Sequence, residues 1–258
     1  MIEQEIATDD GLLRFLISDP LEEYRVKTLL TKEPETIKWI DSWRTLKSEE
    51  PLRFWDVGSN IGIYTLYAAA KIPNLQVVSY EPFFKNFAKL KTNIYLNKLS
   101  NVTPMWIALS KESGIATFGV QDERFGASGN VLMSMEDLDS LGERDPSKAR
   151  FKSTEAMLQA SGDDILRLNL QAPNFLKIDV DGLELEIIQG MPGILGSDAL
   201  KSVLVEINSK PCLETITALF RVHGLVPDDA FNKLDNHSSK RRSKDVRNTA
   251  ENWVFTKA

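Results

Sequence analysis

The chain is poor in the residues that most often announce a chemistry. It has one cysteine, Cys212, and two histidines, His223 and His237. A lone cysteine excludes an internal disulfide and fits a reducing compartment. With no Cys/His cluster a zinc site is disfavoured, and no G-x-S-x-G elbow marks a hydrolase. No apolar run approaches the about 18 residues of a membrane-spanning helix. The acidic start MIEQEIATDDGL has no signal-peptide core, so the expectation is a cytoplasmic protein. Positive charge is also short: 31 Lys and Arg against 37 Asp and Glu leave a net charge of −6. That balance argues against a nucleic-acid partner. What is present, 42% hydrophobic and 26% charged residues, suits one large globular domain or a domain with a small appendage.

Residues 1–50 read as a helical or mixed extension and a candidate substrate lid; 51–258 read as the main domain. Pro34 stands near a helix start, and Trp39 and Trp43 share one helical face. They either pack that helix on the core or help roof a pocket. From Arg53 the pattern alternates. Strands are expected at 53–57, 75–80, 102–108, 115–120, 175–179, 200–207 and around Trp253–Phe255. Helices are expected at 61–71, up to about Asn97, and at 162–170, 183–189 and 212–223. Residues 121–150 lack periodicity and read as a mobile insertion. Residues 225–250 read as a polar loop; its run Lys240–Lys244 is solvated or steers an anionic substrate, and His237 lies within reach of the pocket mouth. Alternating strands and helices imply a parallel sheet covered on both faces, with ligand loops along one edge.

The densest motif is Asp56-Val-Gly58-Ser59-Asn60-Ile-Gly62, at a strand-to-helix turn. Two glycines let the backbone turn sharply and approach a ligand. A dinucleotide fingerprint would begin with glycine where this chain has Asp56. A carboxylate repels a pyrophosphate but suits a ligand with an ammonium group, as in the methionine part of S-adenosylmethionine. Glu81, at the end of the next strand, can accept both hydroxyls of a ribose. Motif and carboxylate together point to S-adenosylmethionine.

At this point the chain resembles the FkbM family of methyltransferases, which methylate hydroxyl oxygens. The resemblance rests on FWDVGSNIGIYT (54–65), SYEPFFKNF (79–87), Asn93 and Asn97, IALSKESGIATF (107–118), FLKIDVDGLELEIIQG (175–190), SVLVEIN (202–208) and NWVF (252–255). The leader LLTKEPET (29–36) is similar to that of glycan-associated members. The resemblance implies the α/β class I methyltransferase fold, a Rossmann-like, mostly parallel seven-stranded sheet with helices on both faces. It implies that Asp56, Gly58, Asn60 and Gly62, with Ser59 between them, line the methionine moiety, that Glu81 binds the ribose, and that the strand end at Ala108 abuts the adenine. The acceptor it implies is a hydroxyl of a sugar, glycan or polyketide-type metabolite. Asn86 and Asn97 are either polar contacts or helix-surface residues.

A protonated hydroxyl is a weak nucleophile and needs a base or a metal beside it. Lys177-Ile-Asp179-Val-Asp181 ends a buried strand at the cofactor edge, and Lys177 and Asp179 point to one face. Asp179, Lys177 and Glu206 are the catalytic candidates. A second route has Asp179 ligate Mg²⁺ with Asp181, Glu206 or Asn208. The plain alternative is that Asp179 and Asp181 cap the following helix. Two competing readings are amine or protein methylation and a binding protein without catalysis. The first is disfavoured because the Asn/Asp-Pro-Pro-Tyr/Phe signature of many amino-methylating enzymes is missing where Lys177-Ile-Asp179 stands.

Overall fold

A computed structural model describes residues 1–133, 151–234 and 251–258. The run Lys240–Lys244, His237 and the stretch 134–150 of the expected insertion lie outside the described residues.

The N-terminal segment is not mainly helical. It opens with an antiparallel hairpin, β1 (Ile2–Thr8) and β2 (Gly11–Ile17). Leu13, Phe15 and Ile17 alternate inward on β2, the period of a half-buried strand. Helix α1 (Pro20–Lys27) follows. Asp19 caps it and Glu22 bonds back to the Asp19 N–H, a reciprocal capping box. Helix α2 (Pro34–Ser42) and a 3-10 turn (Trp43–Thr45) complete the segment.

The main sheet gathers β3 (Leu52–Val57), β4 (Leu75–Tyr80), β5 (Val102–Met105), β10 (Phe175–Ile178), β11 (Ser202–Ile207), β12 (Leu225–Pro227) and β13 (Glu251–Lys257). Its order is β12-β13-β11-β10-β3-β4-β5. It is mostly parallel, with β13 antiparallel to both neighbours. Going out from β3, the chain winds one way through β4 and β5 and the other way through β10 and β11. The carboxyl ends of β3 and β10 therefore flank a crevice.

Side chains alternate between two cores. Phe54, Val77, Phe175 and Leu204 meet α2, α3 (Ile63–Lys71) and α4 (Phe84–Leu96) on one face. Trp55, Val57, Leu176 and Val203 meet α5 (Gly162–Arg167), α6 (Glu184–Gln189), α7 (Pro192–Gly196) and α8 (Lys210–Val222) on the other. Of the two readings of the tryptophan pair, packing holds. Trp43 stacks on Phe175 at 4.0 Å, and Trp39 Nε1 donates to Ser202 Oγ at 2.7 Å. The extension is thus part of one core layer.

Two expected elements change. The strand expected at 102–108 breaks after Met105, and Ala108–Leu109 forms β6 of a second sheet. That sheet has the order β6-β9-β7-β8, with β7 (Gly114–Val120), β8 (Val131–Leu132) and β9 (Ser153–Ala160). The expected polar loop after 224 begins instead with β12 and α9 (Asp229–Leu234).

Candidate active site

The turn after β3 is shaped by contact with β10. Gly58 has φ +81°, and a Cβ there would lie 2.0 Å from the Asp179 carbonyl oxygen. Gly62, at φ +88°, starts α3 where a Cβ would meet Leu90 at 2.5 Å. At Gly58 the obstacle is backbone and only glycine fits; at Gly62 it is leucine methyl groups, and the left-handed backbone favours glycine. The N–H groups of Gly58 and Ser59 both donate to the Tyr80 carbonyl, at 3.0 and 3.1 Å. This pins the turn to the end of β4.

Glu81 follows directly. Its carboxylate accepts from Asn60 N at 2.7 Å and from Phe83 N at 2.9 Å, so it ties the two strand-end loops together. Burial pushes its carboxyl up to about 7. Glu81 lines a cleft at these strand ends, with a cavity volume of about 110 Å³. Gly58, Asn60, Tyr80, Ala108, Asp179 and Asp181 share that wall. The Tyr80 hydroxyl has no hydrogen-bond partner among the described residues. Phe83, Ile107, Leu109, Phe118, Leu132 and Leu183 supply apolar lining, and Phe83, Phe118 and Leu132 pack together against Leu183.

Asp56, Ser59 and Gly62 stand behind this wall rather than on it. Asp56 is buried, and its Oδ2 accepts from Thr65 Oγ1 at 2.6 Å, which fastens β3 to α3. Its Oδ1 has no partner among the described residues. Burial raises its carboxyl, against the pull of Lys177 on the neighbouring strand.

Lys177 is also buried, beneath the cleft, and donates to Asp179 Oδ2 at 2.6 Å. Burial opposes its charge, but Asp179 and Asp56 more than offset this and hold it protonated. Asp179 is 28% exposed and reaches the cleft. Burial would raise its carboxyl; Lys177 outweighs that and lowers it. Glu206 is half-buried on β11, off the cleft wall. The Asp179 charge, then burial, pushes it up to about 8.

Several contributors carry little sequence signal. Glu33, just before α2, accepts from the Tyr64 hydroxyl at 2.9 Å. The Lys177 ammonium lies 5.2 Å from the Tyr64 ring centre. The extension is thereby linked, through Tyr64 and Lys177, to Asp179. The segment 122–130, inside the expected mobile insertion, is strapped over the cleft. Asn60 and Asn86 both donate to the Ala127 carbonyl, Gly126 N donates to Asn86 Oδ1 at 2.8 Å, and Gly129 N donates to Asp181. Asn86 is buried here, not a helix-surface residue. Asn97 lies away from the cleft: its amide pairs with both backbone groups of Arg14 on β2.

The metal route finds no ligand set. Asp179, Asp181 and Glu206 do not converge, and no group of three His, Cys, Asp or Glu side chains among the described residues could hold an ion. Asp179 is engaged by Lys177, and Asp181 by the strap. Asn208 lies exposed near Gly182.

The doubly wound sheet, with a glycine turn and a carboxylate at adjoining strand ends, defines a Rossmann-like fold, a class whose ligand sites lie at the switch point. The Methyltransferase FkbM domain matches residues 56–224, and the chain belongs to that family of methyltransferases. The hexuronic acid methyltransferase AglP of Haloferax volcanii is 28% identical over 207 residues, covering 80% of this chain and 74% of that protein. The 31-O-demethyl-FK506 methyltransferase FkbM of Streptomyces tacrolimicus is 26% identical over 190 residues, covering 66% and 71%. Methyltransferase 1 of Beauveria bassiana is 26% identical over 182 residues, covering 66% and 70%.

Proposed function

We propose that this methyltransferase uses S-adenosylmethionine and methylates a hydroxyl oxygen of a sugar, glycan or polyketide-type small molecule. The observation that carries the cofactor reading is Glu81. It is a buried carboxylate fixed by two backbone donors, in a cleft that also carries the apolar cluster of Phe83, Ala108, Phe118 and Leu132. Such a cleft fits a ribose beside an adenine. The acceptor class is supported by two relatives, one a hexuronic acid methyltransferase and one a 31-O-demethyl-FK506 methyltransferase.

S-adenosylmethionine supplies a methyl group already activated on a sulfonium, so the protein's share is placement and proton handling. Gly58 and Asn60 shape the loop that holds the amino-acid end, and Glu81 accepts the ribose hydroxyls. Ala108 and the apolar residues around it close on the adenine. Asp179 accepts a hydrogen bond from the acceptor hydroxyl and so orients the oxygen. Lys177 keeps Asp179 ionised and in place. Glu206, one strand away, is pushed up to about 8 and takes up the proton that Asp179, held ionised by Lys177, passes on.

Calorimetry with S-adenosylhomocysteine tests the cofactor reading. Wild-type protein binds it, and Glu81→Ala binds at least about tenfold more weakly, as expected for the loss of charged hydrogen bonds. Equal affinity in the two proteins, or none in either, contradicts the reading.

A further inference from the structure

Arg25 is the one basic side chain among the described residues that line the cleft. It comes from α1, outside the segment that carries the family match. Its position is built with care. Glu22, fully buried three residues earlier, pairs with Lys89 of α4 at 3.1 Å and accepts from Ser18 N at 2.6 Å, which locks the start of the helix. Arg25 Nε then donates to the Gly126 carbonyl at 2.6 Å. Gly126 is itself held by Asn86. One edge of the guanidinium is thus fixed, and its two terminal nitrogens have no hydrogen-bond or ion-pair partner among the described residues.

The three carboxylates on the same wall feel its charge, which lowers each of them, but none hydrogen-bonds or ion-pairs with it. Glu81 is taken up by Asn60 N and Phe83 N, Asp179 by Lys177, and Asp181 by Gly129 N. A half-buried guanidinium with a free planar fork, facing a cleft, matches a ligand carboxylate in two-point geometry. Its position among acidic groups adds a selective element: without the bound anion it only balances their charge.

We infer that Arg25 is a carboxylate-binding residue of the cleft, gripping a carboxylate of a bound small molecule. This rests on the cofactor reading above for one of two sources, the amino-acid end of the cofactor. The other source is a carboxylate on the acceptor.

Calorimetry on the full chain separates them, comparing wild type, Arg25→Gln and Arg25→Lys. The probes are S-adenosylhomocysteine, 5′-methylthioadenosine (which lacks the amino-acid end), D-glucuronate and D-glucose. If the cofactor supplies the carboxylate, Arg25→Gln binds S-adenosylhomocysteine about tenfold or more weakly. Its affinity for 5′-methylthioadenosine stays as in wild type, which also reports an intact fold, and Arg25→Lys recovers part of the loss. If the acceptor supplies it, both adenosine ligands bind unchanged, while wild type binds D-glucuronate in preference to D-glucose and Arg25→Gln does not. The inference is overturned if Arg25→Gln matches wild type on all four probes, or if it weakens both adenosine ligands equally. Failure of wild type to bind either adenosine ligand instead removes the cofactor reading. Arg25 is then judged on the D-glucuronate arm alone, where no preference overturns it.

Discussion

At the scale of residues, the site separates carboxylates by environment. Asp179 sits against Lys177 and stays ionised, while Glu206 answers to the charge of Asp179 and rises to about 8. If Glu206 accepts the acceptor's proton, it works only after losing its own. Turnover at saturating substrate therefore rises with pH through about 8 and levels off above it. In Glu206→Gln that limb disappears and the residual rate is flat across the same window. The charged groups around Glu206 are Glu33, Lys32, Lys177 and Asp179. Asp179→Asn, which removes the charge that raises Glu206, moves the limb of any remaining activity to lower pH. A rate profile measured from pH 6 to 9.5 on the three proteins checks both statements.

At the scale of elements, the strap 122–130 is held over the cleft by a few side-chain bonds rather than by a ladder. Asn86 makes two of them, to Gly126 N and the Ala127 carbonyl. Asn86→Ala leaves a buried N–H and a carbonyl with fewer partners, worth about 1–3 kcal/mol locally. Hydrogen exchange at Gly126–Asn130 should quicken by tenfold or more, about 1.4 kcal/mol per decade, while β3 and β10 exchange as before. Unchanged exchange in the strap would mean that Arg25, Asn60 and Asp181 hold it without Asn86.

The same element explains what the sequence could and could not tell. The unit from β3 through α3 to β4 was legible, because Asp56–Gly62 and Glu81 mark strand ends by residue type. The strap was not. Its order comes from Asn86 and Asn60, whose side chains reach across 41 and 67 residues. Nothing in 122–130 repeats with a helical or strand period. Strand β9 was hidden for a related reason: in STEAMLQA only Met157 and Ala160 are buried, and pairing with β7 defines it. The hairpin β1–β2 did carry a period-two signal in Leu13, Phe15 and Ile17. That signal lay in a stretch read as helical or mixed. Asp56 shows the opposite limit: its residue type marked the motif, but its side chain turned inward to Thr65.

At the scale of the molecule, no helix among the described residues is long and apolar enough to cross a membrane. The fold instead invests in burying polar groups at one sheet edge. Burial lifts Glu81 and Glu184 to about 7, and the Asp179 charge with burial lifts Glu206 to about 8, from an ordinary value near 4.5. Between about pH 4.5 and those values the folded chain holds protons that the unfolded chain has released. Stability from these groups is therefore present below about 4.5 and lost as pH rises through 7 to 8. Carboxylates held low, such as Asp122 at about 2, have completed their opposite contribution by about pH 5. Calorimetric unfolding of the ligand-free protein should show a midpoint that falls between pH 5 and 8. A midpoint that rises over that range contradicts these assignments.

Methyl transfer from S-adenosylmethionine to a hydroxyl can be followed by isotope transfer. Purified protein is incubated with methyl-labelled S-adenosylmethionine and matched acceptors: sugars and uronic acids, polyketide-type alcohols, and amines of similar size. Label is expected in an ether-linked methyl group on at least one hydroxyl acceptor, and is lost in Asp179→Asn. Label found only on amines, or no transfer from a protein that binds S-adenosylhomocysteine tightly, would contradict it.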